Sequence, residues 1–138
     1  MREPLRRLAE ELGIGGRVML LGARRDVPEL LSAFDVFALS SRSEAFPLSV
    51  LEAMATGLPV VATEVGCLPE VVRPGETGML AAPGRPEALA EAIGGLLADP
   101  ALAREMGRRG REVVREEYTL ARSAERLEAL VDLSLIHI

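Results

Sequence analysis

The stretch Ser40-Ser-Arg-Ser-Glu44-Ala-Phe-Pro-Leu-Ser-Val-Leu-Glu52-Ala-Met-Ala-Thr-Gly57 decides the reading of this chain. It places two carboxylates, Glu44 and Glu52, eight positions apart across a loop that enters a helix. Asp35-Val-Phe-Ala-Leu-Ser40, just before it, has strand character. Pro47 to Ala55 reads as a helix closed by Gly57. Leu58-Pro-Val-Val-Ala-Thr63 returns to strand, with Pro59 tolerated at its beginning. Short apolar strands joined by helices predict an α/β fold: a Rossmann-like parallel sheet with helices on both faces.

Working outward toward the start, Leu5, Leu8, Ala9 and Leu12 fall at helical spacing and Gly13 stops the pattern, so residues 3–12 read as an amphipathic helix. Arg17-Val-Met-Leu-Leu-Gly22 is a continuous apolar run, expected as a strand buried on both faces. After the loop Ala23-Arg24-Arg25, Asp26 precedes Val27, Leu30, Leu31 and Phe34, with Glu29 three residues on. That pattern predicts a capping box on a short helix. The run 17–22, this helix and the run 35–40 together predict a right-handed βαβ unit.

Working toward the end, Val65 to Val72 suggests a loop and one helical turn, Pro74-Gly-Glu-Thr-Gly78 a turn, and Met79-Leu-Ala-Ala82 a fourth strand. Three helices follow, over Pro86 to Ala98, Pro100 to about Glu117 and Leu120 to about Leu133. Asp99 and Thr119 are the expected N-caps of the last two. The tail 133–138 breaks the helical pattern and has no assigned chemistry.

Composition bounds the function. With 138 residues the chain can form one domain with a core that needs no disulfide or metal. Hydrophobic residues make up 49% and aromatics only 3%, so the core is built from aliphatic side chains on a sheet. All 16 basic residues are Arg, and the net charge of -5 argues against a nucleic-acid partner. One cysteine, Cys67, excludes an internal disulfide and a Cys-based zinc site, and reads as structural. No apolar run is long enough for a signal peptide core or a bilayer span, so a cytoplasmic location is expected, with peripheral membrane contact left open.

In an open parallel sheet, ligands bind beyond the carboxyl ends of the strands, where the run 35–40 delivers residues 40–46. The helix that follows begins at the same place, where free N–H groups and the dipole favour a phosphate. Carboxylates accept hydrogen bonds from vicinal hydroxyls, so Glu44 and Glu52 suit two diols. A nucleotide sugar has both, a ribose and a sugar ring bridged by phosphates. With 17 Glu in the chain, the spacing of two of them is by itself a weak signal.

The whole block SRSEAFPLSVLEAMATGLPVVATEVGCLPEVV resembles the signature of retaining glycosyltransferases of family four, group 1, which have the GT-B fold. That signature is a Glu, seven residues and a second Glu, then an alanine-rich helix, Gly-x-Pro-Val-Val-Ala and a Gly-x-x-Pro-Glu segment. The resemblance implies that Glu44 contacts hydroxyls of the transferred sugar and acts at the catalytic centre, and that Glu52 binds the ribose. It implies that backbone amides of Ala45, Phe46, Leu48 and Ser49 hold sugar hydroxyls and the distal phosphate. Pro47 stands where Gly is more usual, which removes one amide donor. The loop 23–27 aligns with the family's base-contacting loop, placing Val27 at the base edge, with Arg24 and Arg25 able to stack, meet phosphate or stay solvated. Glu70 matches the Glu of the Pro-Glu segment and could equally cap its short helix or pair with Arg73.

The same resemblance implies a chain that is the C-terminal half of a GT-B fold, truncated at its N-terminal side. Residues 1–118 would be a partial nucleotide-sugar-binding domain and 119–132 a crossover helix, whose Leu120, Ala124, Leu127 and Val131 would face an absent N-terminal acceptor domain. The donor would be a UDP-, GDP- or ADP-sugar. No Asp-x-Asp motif occurs, and neither a metal nor another cofactor is expected. Competing expectations are a stand-alone nucleotide-binding module without catalysis, or another GT-B enzyme such as a sugar-nucleotide epimerase. A phosphorylase using pyridoxal phosphate is excluded by the absence of Lys.

Overall fold

The computed structural model describes residues 2–125. The elements run α1 (Arg2–Glu11), a 3-10 turn (Gly15–Arg17), α2 (Val27–Ser32), β1 (Phe37–Leu39), α3 (Leu48–Ala55), β2 (Val60–Thr63), α4 (Leu68–Val71), β3 (Gly78–Ala81), α5 (Pro86–Ala98) and α6 (Pro100–Glu117). The sheet is parallel, in the order β1-β2-β3, with Phe37 opposite Val60 and Val60 opposite Gly78.

β2 is the central strand, and Val60, Val61 and Ala62 are completely buried because both faces of the sheet are covered. On one face Phe37, Leu39, Val60, Ala62 and Leu80 pack with Val50, Ala53 and Met54 of α3 and Leu68 and Val71 of α4. On the other, Val36, Val61 and Met79 meet Leu96 and Ile93 of α5 and Ala103 and Met106 of α6. Helices therefore lie on both faces, as the aliphatic composition predicts. α6 passes close beneath the α3–β2 turn: a Cβ on Gly107 would sit 1.9 Å from the Gly57 carbonyl oxygen, and one on Gly110 would touch Met54. Its first turn is fastened by Asp99, whose carboxylate accepts the Leu102 N–H at 3.0 Å.

Four expectations are corrected. The run 17–22 is not a strand; Arg17 ends the 3-10 turn and residues 18–22 have no ladder partner among the described residues. A strand is defined by its neighbour, and without one Met19 is 82% exposed. The expected βαβ unit across 17–40 accordingly does not form, and the parallel crossovers are those through α3 and through α4. The segment read as a fourth strand is the third. Asp26 precedes α2 as anticipated but makes no side-chain cap, because Arg24 claims its carboxylate.

Residues 120–125 are helical, opened by Thr119, whose hydroxyl accepts the Arg122 N–H at 3.2 Å. Leu120 is 91% exposed and Ala124 is exposed. Leu127, Val131 and the tail 133–138 lie outside the described residues. Among the described residues, no helix is long and apolar enough to cross a membrane.

Candidate functional site

Two loops meet at the carboxyl edge of the sheet. The first, residues 40–47, leaves β1 and enters α3; the second, residues 64–67, leaves β2 and enters α4. Thr63, the last residue of β2, is buried and donates its hydroxyl to the Ser41 carbonyl at 2.6 Å. The Cys67 thiol donates to the Ala45 carbonyl at 2.9 Å. Between them Gly66, at φ +54°, lies so near Glu44 that a Cβ there would be 1.8 Å from the Glu44 carbonyl oxygen.

Glu44 is half-buried, and its carboxylate accepts the Ser41 hydroxyl at 3.3 Å. One carboxylate oxygen is thereby oriented while the group keeps capacity for further donors. Glu52 sits one turn into α3 on its exposed side, the side it shares with Leu48 and Ser49, whereas Val50, Ala53 and Met54 turn to the core. No salt bridge neutralises Glu44 or Glu52 among the described residues. Both carboxylates are therefore available to hydroxyl donors.

The start of α3 is open. Pro47 accepts the amides of Val50 and Leu51, and Leu48 N–H bonds to the Phe46 carbonyl at 3.0 Å. The amides of Ala45, Phe46 and Ser49 have no acceptor among the described residues, and all three residues are exposed. Three unpaired N–H groups at the positive end of a helix dipole form a seat for an anion or for hydroxyl oxygens. Of the four amides expected there, Leu48 is already engaged. The Phe46 ring and the Leu48 side chain are also largely exposed beside this seat.

Val27 follows the 23–26 loop, opens α2 and packs its side chain on the core. The Arg24 guanidinium forms a two-pronged pair with Asp26, one bond at 2.7 Å. That hydrogen bonding holds the Asp26 carboxyl below the usual carboxylate range. Arg73 reaches Glu117 at 2.5 Å and Glu76 at 3.7 Å rather than Glu70, tying the α4–β3 turn to the end of α6.

A groove of about 450 Å³ lies at the opposite, amino end of the strands, among Phe34, Val36, Pro59, Leu97 and Ala103. No group of three His, Cys, Asp or Glu side chains suited to hold a metal occurs among the described residues. Sequence reading quotes Gly66 within the Gly-x-x-Pro-Glu segment and reads Cys67 as structural, but it misses Thr63 and the contacts all three make, because their partners stand 22 residues away along the chain.

Residues 1–113 match the family Glycosyl transferases group 1. The chain is 40% identical over 123 residues to N-acetyl-alpha-D-glucosaminyl L-malate synthase of Bacillus anthracis, covering 89% of this chain and 32% of that protein. Its structure is similar to sucrose-phosphate synthase from Thermosynechococcus elongatus, with a TM-score of 0.87 and 37% identity over 99% of this chain and 35% of the other. Anabaena Alr3699/HepE, solved in complex with UDP and glucose, aligns with a TM-score of 0.87 and 30% identity over 94% of this chain and 36% of its own. The chain thus spans about a third of the length of each relative.

Proposed function

Since the chain belongs to the group 1 glycosyl transferases, we propose that it is the donor-binding part of an enzyme that moves a sugar from a nucleotide-sugar to an acceptor with retention of configuration. The observation that carries this reading is the joint exposure, at one end of α3, of unpaired amides at Ala45, Phe46 and Ser49 with the carboxylates of Glu44 and Glu52 on either side. Amides suit the diphosphate oxygens, Glu52 a ribose diol, and Glu44 the hydroxyls of the transferred sugar. The binding of UDP and glucose by the Anabaena relative supports a donor of this class. Val27 would meet the base.

The span of about a third of each relative supports a division of labour in which the acceptor is held by a separate domain. On this reading the leaving diphosphate is stabilised by the helix dipole and amides without a metal ion, and the described chain alone binds donor but does not complete transfer. Saturation-transfer NMR of the chain with UDP, GDP, ADP and their glucose or mannose conjugates tests the reading. A saturable signal for one nucleotide and its sugar conjugate is expected, and silence for all of them would contradict it.

A further inference from the structure

We infer that Thr63 and Cys67, on the loop leaving β2, are positioning residues that hold Glu44 in place from the backbone of its own loop; the inference rests on the donor reading given above. The backbone of residues 41–45 is hydrogen-bonded at two atoms among the described residues, the Ser41 carbonyl and the Ala45 carbonyl. Thr63 supplies the first bond, at 2.6 Å, and Cys67 the second, at 2.9 Å. One lies three residues before Glu44 and the other one residue after it, so the loop is tied on both sides of the carboxylate.

The Thr63 tie reaches Glu44 by a short route. The residue whose carbonyl Thr63 holds, Ser41, is the residue whose hydroxyl donates to Glu44 Oε2 at 3.3 Å. Fixing the Ser41 backbone fixes the origin of that hydroxyl, and with it the direction of the carboxylate. Thr63 can act in this way because it is only 6% exposed at the rigid end of the central strand. Hydrogen bonds weaken steeply with misdirection, so a carboxylate that reads sugar hydroxyls depends on such a preset direction. The ribose contact assigned to Glu52 on α3 does not share this dependence, because α3 is anchored by Val50, Ala53 and Met54 in the core.

The test compares the 15N-labelled wild-type chain with Thr63→Val, Thr63→Ser and Cys67→Ala. Thr63→Val removes the donor and Thr63→Ser keeps it. The amide resonances of residues 42–46 are expected to move in Thr63→Val and to return toward wild type in Thr63→Ser. Cys67→Ala should move the amides of Ala45 and Phe46 more than those of residues 42–43. In titrations, Thr63→Val should weaken UDP-glucose about threefold to tenfold and weaken UDP, which lacks the sugar read by Glu44, by a smaller factor. Unmoved amides in Thr63→Val, or equal displacement in Thr63→Ser, would overturn the inference whether or not ligand binds. Glu44→Gln serves as the separate control: if it leaves UDP-glucose affinity intact, the role given to Glu44 fails while the amide comparison still decides the tie.

Discussion

Gly66 backs directly onto Glu44: with Gly66 at φ +54°, an added Cβ would stand 1.8 Å from the Glu44 carbonyl oxygen. No side chain fits there without moving the loop, and the left-handed backbone adds its own penalty to any residue other than glycine. Gly66→Ala is expected to lower stability by about 1–3 kcal/mol. It should also displace the 43–46 amides in NMR spectra. A thermal melt coincident with wild type would contradict this packing.

A second close approach, remote from the site, lies between Gly107 of α6 and the Gly57 carbonyl, with a would-be Cβ at 1.9 Å. Here the strain falls on backbone rather than on a flexible side chain. Gly107→Ala should destabilise the fold by about 1–3 kcal/mol, read as a lower urea midpoint at unchanged slope. The amide shifts of residues 44–46 should stay close to wild type, which separates the two glycines.

The Asp99 cap gives a smaller, purely local effect. Its carboxylate satisfies the Leu102 N–H at the start of α6. Asp99→Ala should cost about 1 kcal/mol, while Asp99→Asn and Asp99→Ser should retain most of the stability.

The parts of the fold that were legible were those set by local chemistry. Pro100 after Asp99, Gly57 after α3 and the aliphatic runs at 58–63 and 79–82 each mark a boundary that the structure keeps to within a few residues. The run 17–22 was misleading because its apolar character matches a buried strand, yet strand formation depends on a partner that local sequence does not name. At Asp26 two local signals competed, and the neighbouring Arg24 guanidinium outweighed the helix cap. Glu44 and Glu52 stood out through their motif. The ties from Thr63 and Cys67 did not, since residues 22 positions apart meet only once β1 and β2 are paired.

Glu105 supplies a pH signature. Hydrogen bonds from Arg108 and Arg109 lower its pKa from 4.5 to about 2. A carboxylate depressed in the folded state contributes stability above its unfolded pKa and loses it as pH falls through the folded value. The contribution is therefore full above about pH 5 and fades toward pH 2. Urea midpoints of wild type and Glu105→Gln should converge over that interval, modestly, because the cluster is solvent-exposed. A constant difference between them down to pH 2 would contradict the assignment.

The most direct test of the donor reading is calorimetric titration of UDP and UDP-glucose into the wild-type chain, Glu44→Ala and Glu52→Ala. Glu52→Ala should weaken both ligands by about tenfold or more, since both carry the ribose. Glu44→Ala should spare UDP and weaken UDP-glucose alone. Equal losses for both ligands in both variants would contradict the assignment of Glu44 to the sugar and Glu52 to the ribose.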